Sequence, residues 1–452
     1  MATAYRPRTL APRKLAGWLA TLAAALSTLP AVAAPVGPAK DEIRLVKQAG
    51  ALMMPWLVIA KSGQPFDVRL QSDPGATDLA VSAMASNGLV DIVAGDFNAD
   101  GLQDLALLNR ARNSDFTPVW TSMRIAFANA DGTVRMSSTP IGQFANYLAQ
   151  GYGEPVAGDF NGDGRLDIAL IDFEGQPAEF RDTVPMLLSR SDGTFADVIW
   201  HVGGSNPFFR YPAARIVPGE FIPSTDGVRR TDVALLRECG QPTIPLLHSQ
   251  SSGVGVVHAP AQYFEAYCPD GGTQLVTGDF NGDGLTDLAK FSGGALIVAT
   301  AGAGVFTVVS VTGGTFAQRA PNSKIVTGRF DEGPTTDIAL IDRTGIAVAF
   351  GDSNAQFTVR EHLSPTFAAW AFAPGATPYV GDFDGNGQDD IALIQRYPGT
   401  DWTTVPIAYS HTDRLPGGRR AWRQAVENQV APGFVDQARA TATRVFVGKF
   451  GQ

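Results

Sequence analysis

VAGDFNGDGRLDIALI, residues 156–171, carries the pattern from which the rest of the chain can be organised. An apolar lead-in ends on glycine, an acidic loop rich in Asp, Asn and Gly follows, and a second apolar run begins directly after an aspartate. Two short β-strands joined by a tight polar loop account for that order. The same phrase returns as VAGDFNADGLQDLALL (93–108), VTGDFNGDGLTDLAKF (276–291) and YVGDFDGNGQDDIALI (379–394). Weaker copies fill the gaps, VPGEFIPSTDGVRRTDVALL (217–236) and VTGRFDEGPTTDIALI (326–341), and VFVGKFGQ (445–452) is a last fragment.

The glycine ending each lead-in marks the period: Gly95, Gly158, Gly219, Gly278, Gly328, Gly381 and Gly448, 50 to 67 residues apart. Between markers lies a further hairpin with a Gly-bearing turn or its equivalent, such as PMLLSRSDGTFADV or LIVATAGAGVFTVV. Each period therefore predicts four strands, A to D, and a period of this size with four strands is a propeller blade. One hairpin, WLVIAKSGQPFDVRL from Trp56, has no strand A before it, while the strand ending at Gly448 has no hairpin after it. The expectation is an all-β, seven-bladed β-propeller whose ring is closed by the N- and C-terminal strands pairing in one blade, so that no sheet edge of a linear array is left open.

In the loop starting at Asp159, oxygens at positions 1, 3, 5 and 9 (Asp159, Asn161, Asp163, Asp167) can converge if the loop curls. Gly164 at position 6 permits the positive φ of that curl, and the carbonyl of Arg165 at position 7 points inward. A set of hard oxygen donors without sulfur or imidazole is calcium chemistry. The same reading applies to Asp96, Asn98, Asp100, Leu102 and Asp104; to Asp279, Asn281, Asp283, Leu285 and Asp287; and to Asp382, Asp384, Asn386, Gln388 and Asp390. About four Ca2+ sites are expected. The loops at Glu220 and Arg329 are expected to hold none, because one carries four extra residues and the other has Arg329 for the first acid and Pro334 for the glycine.

The phrase GDFNGDGxxDLA resembles the FG-GAP or VCBS repeat of integrin α-subunit head propellers and of many secreted bacterial and fungal proteins. The resemblance covers nearly the whole chain after residue 41. It implies a propeller with calcium in the loop between the first two strands of a blade, and no single activity.

Residues 1–33 differ in composition. Arg6, Arg8, Arg13 and Lys14 precede an apolar run from Leu15 to Leu26, and Ala31 and Ala33 offer small residues for cleavage, which is the anatomy of a signal peptide. Residues 34–41 then form a short linker and 42–452 the propeller. Secretion or a periplasmic location is expected, with no transmembrane segment after cleavage. The formal charge of −9 becomes four units more negative without the leader, which argues against nucleic acid as a partner. Cys239 and Cys268, the two cysteines, are expected to form one disulfide closing a loop of about 30 residues on the face opposite the acidic loops.

That opposite face gathers the longer connections and their aromatic residues. Phe209, Tyr267 and Trp370 are candidate ligand contacts, although large aromatics are more often packing than binding. No G-x-S-x-G, H-E-x-x-H or Walker loop occurs, and His201, His248, His258, His362 and His411 lack metal-ligand spacing. A monomeric binding or adhesion module for a glycan or a surface protein is the expectation. A polysaccharide-active lyase or glycosidase on the same scaffold is the alternative, because distant carboxylates leave no spacing to read.

Overall fold

The computed structural model describes residues 41–49, 52–59, 67–70, 89–130, 133–151, 153–171, 183–202, 213–237, 243–251, 253–260, 274–395, 402–414, 420–430 and 443–449. Residues 1–33, read from the sequence as a signal peptide, lie outside these residues. In chain order the strands are β1 (Glu42–Ala49), β2 (Leu52–Ile59) and β3 (Asp67–Leu70); β4 (Val90–Gly95), β5 (Asp104–Asn109), β6 (Ser122–Ala128) and β7 (Val134–Pro140); β8 (Glu154–Gly158), β9 (Asp167–Ile171), β10 (Thr183–Ser189) and β11 (Phe195–His201). They continue with β12 (Ala213–Gly219), β13 (Asp232–Arg237), β14 (Thr243–Gln250) and β15 (Gly253–Pro260); β16 (Gln274–Gly278), β17 (Asp287–Ser292), β18 (Ala295–Gly302) and β19 (Val305–Gly313). The last are β20 (Lys324–Gly328), β21 (Asp337–Ile341), β22 (Gly345–Gly351) and β23 (Phe357–Leu363); β24 (Ala376–Gly381), β25 (Asp390–Gln395), β26 (Thr404–Arg414) and β27 (Arg420–Val430); and β28 (Thr443–Gly448).

These strands form seven four-stranded antiparallel sheets, the seven blades of the propeller. Six are consecutive in sequence. The remaining one has the order β28-β1-β2-β3, with Glu42 opposite Gly448 and Lys47 opposite Thr443. We number this composite sheet blade 1 and count onward, so that β4–β7 are blade 2 and β24–β27 blade 7. The complementary ends seen in the sequence thus meet as expected. Among the described residues, three α-helices interrupt the connections from one blade to the next: α1 (Gly142–Ala149), α2 (Thr315–Arg319) and α3 (Pro365–Ala371). The sequence reading placed only loops there.

Buried apolar side chains collect between neighbouring blades. Val93, Ile125 and Phe127 of blade 2 meet Ile168, Leu170 and Leu187 of blade 3, and Ile43, Leu45 and Val445 of blade 1 meet Tyr379, Ile394 and Ile407 of blade 7. The phenylalanine at position 2 of each loop, Phe97, Phe160, Phe221, Phe280, Phe330 and Phe383, is fully buried. At roughly 25 cal/mol per Å², rings of this size dominate the burial term.

A ring of backbone hydrogen bonds ties the blades together at the acidic-loop end. At position 8 of each loop the amide donates to the position 1 carbonyl of the preceding blade: Leu166 to Asp96, Thr231 to Asp159, Thr286 to Glu220, Thr336 to Asp279 and Asp389 to Arg329. Asp41 to Asp382 and Gln103 to Lys449 complete the circuit, and the donor–acceptor distances run from 2.5 to 2.9 Å. In several blades the position 8 side chain answers in the other direction, its oxygen accepting the position 1 amide, as Thr336 Oγ1 does from Asp279 at 3.0 Å and Asp41 Oδ2 from Asp382 at 2.9 Å.

This girdle explains the marker glycines. A Cβ on Gly158, Gly219 or Gly278 would lie 2.5 Å from the side chain of Thr231, Thr286 or Thr336, the position 8 residue of the next blade. Gly448 likewise faces Gln103, at 2.3 Å. The residue is glycine because its neighbour's side chain occupies the space. We expect Gly278→Ala to destabilise the fold by about 1–3 kcal/mol through overpacking, with Thr336→Gly recovering part of the loss in the same chain. Equal denaturation midpoints for wild type and Gly278→Ala would refute the close approach.

Candidate functional site

All four full loops curl in the same way. The position 1 carboxylate accepts the amides of positions 5 and 6: Asp159 receives Asp163 at 3.1 Å and Gly164 at 2.8 Å, and Asp382 receives Asn386 at 3.0 Å and Gly387 at 2.9 Å. The position 3 oxygen accepts the position 5 amide, and the position 5 oxygen accepts the position 7 amide, as Asn281 Oδ1 does from the Asp283 amide at 3.0 Å and Asp283 Oδ1 from the Leu285 amide at 2.8 Å. Glycine at position 6 has φ between +83° and +88° in all four loops, as the spacing predicts. Position 4 is also left-handed, and in blade 2 that residue is Ala99, with φ +61°. The sequence reading missed this second turn of the curl, although Gly162, Gly282 and Gly385 stand there in the other three copies.

The position 9 aspartates Asp104, Asp167, Asp287 and Asp390 are fully buried. Each joins two strands besides facing the loop. Asp287 Oδ2 accepts the amide of Phe280 at 2.9 Å, and Oδ1 accepts the amide of Ala301, at the end of the third strand, at 2.8 Å. The blades without a full loop keep this arrangement: Asp337 accepts Phe330 at 2.9 Å and Gly351 at 3.0 Å, and Asp232 accepts Phe221 at 3.1 Å and Ser249 at 2.9 Å. Position 9 is therefore a structural corner in every blade from 2 to 7. Its persistence in the degenerate loops, which lack the full set of other oxygen donors, was the available sequence signal.

Burial pushes these carboxyls up, to about 8 for Asp104 and Asp287 and about 7 for Asp167, with Asp390 raised well above the usual value. The amides they accept from, and the neighbouring acids of the loop, are smaller influences. Burial likewise raises Asp96, Asp159, Asp279 and Asp382 at position 1. A cation at the centre of such a loop would favour the ionised form of these carboxyls and offset its charge.

Among the described residues the carboxylates converge most closely in blade 7, where one oxygen each from Asp382, Asp384 and Asp390 lie within 4.8 Å of one another. Of the four full loops, only this one has an aspartate at position 3. In the other three loops it is Asn98, Asn161 or Asn281, whose side-chain amide donates to the position 5 carboxylate at 2.9 to 3.1 Å. The donor set in all four is oxygen. In blade 4, Arg229 pairs with Glu220 at 3.1 Å, so a guanidinium stands beside the acid at position 1.

On the opposite face the helices fill the space between blades. Phe144 and Tyr147 of α1 and Phe367 of α3 are buried in the inter-blade clusters. Asp197 caps α1 from the neighbouring blade, its Oδ2 accepting the amide of Gln143 at 2.7 Å. Trp370 is half-buried on α3, packed against the cluster shared by blades 6 and 7. Phe209 and Tyr267, and the cysteines Cys239 and Cys268, lie outside the described residues. No described helix is long and apolar enough to cross a membrane.

Residues 96–170 match the family model of the FG-GAP-like repeat, a segment running from the acidic loop of blade 2 into the second strand of blade 3. Among solved structures, a lectin of Agrocybe aegerita, described as specifically recognising non-reducing terminal N-acetylglucosamine, aligns with a TM-score of 0.66 at 14% identity, covering 92% of this chain and 98% of its own. A Bacteroides fragilis protein described as a 6-phosphogluconolactonase aligns with a TM-score of 0.44 at 14% identity, over 91% of this chain and 99% of its own. At these identities the first likeness shows the fold, and the second adds nothing about function. No curated protein matches the chain.

Proposed function

We propose that the protein is an exported, calcium-stabilised propeller that binds saccharides through the face opposite its acidic loops. The observation that carries this reading is the division of labour between the two ends of the ring. One end is given over to short, superimposable acidic loops and the girdle that joins the blades, and it offers little room for variation. The other carries the long connections and the helices, the kind of surface on which a rigid scaffold displays recognition residues. The FG-GAP-like repeat and the propeller lectin are in keeping with a binding module.

The residues fit calcium. Asp96, Asn98, Asp100 and Asp104, and their counterparts in blades 3, 5 and 7, would hold the ion with the position 7 carbonyls of Leu102, Arg165, Leu285 and Gln388. The ion would supply charge neutralisation, four divalent ions offsetting eight negative charges of an acidic chain.

The test is a glycan array probed with the full chain in millimolar calcium, followed by product analysis of any bound polysaccharide. Binding without product supports the module. New reducing ends or unsaturated products would replace it with an enzyme, and an array without signal would refute saccharide binding.

A further inference from the structure

The connection between β5 and β6, residues 110–121, reads RARNSDFTPVWT. It rises from the long-loop end of blade 2 as a small, cross-braced hairpin. Arg112 and Pro118 form an antiparallel bridge. The amide of Asn113 donates to the carbonyl of Thr117 at 2.9 Å, that of Phe116 to Asn113 at 3.1 Å, and that of Val119 to Ala111 at 2.9 Å. Asp115 accepts the Thr117 hydroxyl at 2.7 Å, and the Asn113 side-chain amide donates to the same hydroxyl oxygen at 2.9 Å. The loop is tied at every level.

Its tip presents Phe116, 57% exposed and the one aromatic among the described residues that is largely in water. The backbone there has φ +67°. A bulky side chain in the left-handed region is disfavoured by roughly 1–2 kcal/mol, and a loop that only had to turn would carry glycine or asparagine at this point. The ring is also held in place. The Arg112 guanidinium lies 4.6 Å from its centroid, and Arg112 is fixed in turn by donating to the carbonyl of Ala149, the last residue of α1, at 3.2 Å. A strained backbone, an apolar ring facing solvent and a cation behind it together describe a residue kept for what it touches outside the molecule.

We propose that Phe116 is a stacking platform for the apolar face of a terminal pyranose ring, braced from behind by Arg112. This rests on the reading that the long-loop face binds saccharide. The size of the patch selects the occupant. The other exposed large apolar residues at this end of blade 2 are Val119 of the same loop and Leu89, whose carbonyl accepts the Arg110 amide at the loop's base, each 49% exposed. Three such side chains fall short of the roughly 800 Å² per partner that a stable protein–protein interface covers. One ring flanked by the amide, carboxylate and hydroxyl groups of Asn113, Asp115 and Thr117 matches a single sugar unit, which has an apolar face and a polar edge.

The experiment uses the full chain in calcium on a printed glycan array, comparing wild type with Phe116→Ala, Phe116→Trp and Phe116→Gly, and recording the melting temperature of each. We expect Phe116→Ala and Phe116→Gly to lose at least tenfold in signal on every glycan the wild type binds, and Phe116→Trp to keep it. Phe116→Gly should melt at the wild-type temperature or above, since glycine relieves the left-handed backbone. Wild-type signal that survives in Phe116→Ala overturns the platform and leaves saccharide binding by this face standing. An array silent for the wild type overturns both. A lower melting temperature for Phe116→Gly would make the ring a packing residue, which also overturns the proposal.

Discussion

We expect chelation with EGTA to lower the melting temperature of the full chain markedly, and millimolar calcium to restore it. Each site filled at a hundred times its dissociation constant adds about 2.7 kcal/mol to stability, so four sites together would rival the whole stability of an ordinary domain. The pH dependence sharpens the expectation. In the chelated protein Asp104, Asp167 and Asp287 stand at about 8, 7 and 8, above the unfolded carboxylate value near 3.9. Between those limits the folded chain binds more protons than the unfolded one, so stability without calcium falls as pH rises from about 4 to about 8. Bound calcium favours the ionised carboxylates and should flatten that slope. A melting curve indifferent to EGTA at pH 8 would remove the ions from the account of stability.

The second large effect needs no metal. Asp337→Ala in blade 6 leaves the buried amide of Phe330 and the half-buried amide of Gly351 without their acceptor. Each stranded donor costs about 1–3 kcal/mol, giving a total of roughly 2–6 kcal/mol by urea denaturation. Calcium stoichiometry by titration calorimetry should not change, because Arg329 occupies position 1 of that loop. Asp390→Ala in blade 7 should show a comparable loss together with one fewer calcium. A change of less than about 0.5 kcal/mol in Asp337→Ala would refute the corner role, and a lost calcium would mean that the blade 6 loop binds one after all.

The ring was legible in the sequence because its repeating unit is written in local terms: a lead-in, a loop and a hairpin, each with its own turn chemistry. The unpaired hairpin at Trp56 and the lone strand at Gly448 even disclosed how the ends meet. What stayed hidden was relational. Nothing within VAGDFNGDG says that Gly158 is small because Thr231 of the next blade fills the space, since the two residues are 73 positions apart. The double duty of the position 9 aspartate was hidden for the same reason, its second partner being a strand end 14 to 24 residues downstream. The helices α1, α2 and α3 escaped because short apolar runs between strands have no period long enough to read. On the long-loop face, Phe144, Tyr147 and Phe367 are packing, buried in the clusters between blades. Phe116 stands in a run of mostly polar residues, and only its backbone and its exposure set it apart.

The pairing of β28 with β1 also has a consequence in time. Blade 1 takes one strand from residues 443–448 and three from residues 42–70. During synthesis or emergence through a translocation pore, the early segment must wait for nearly the entire chain before its inner strand arrives. Closing a loop of that length costs only logarithmically more than closing a short one, yet every contact of the closing strand is of the longest range the chain allows. The six other blades can form from neighbouring residues as they appear. Ring closure is then the late and slow event, and until it happens the edge of β1 and the apolar face that blade 7 turns to blade 1 stand exposed to other copies of the chain.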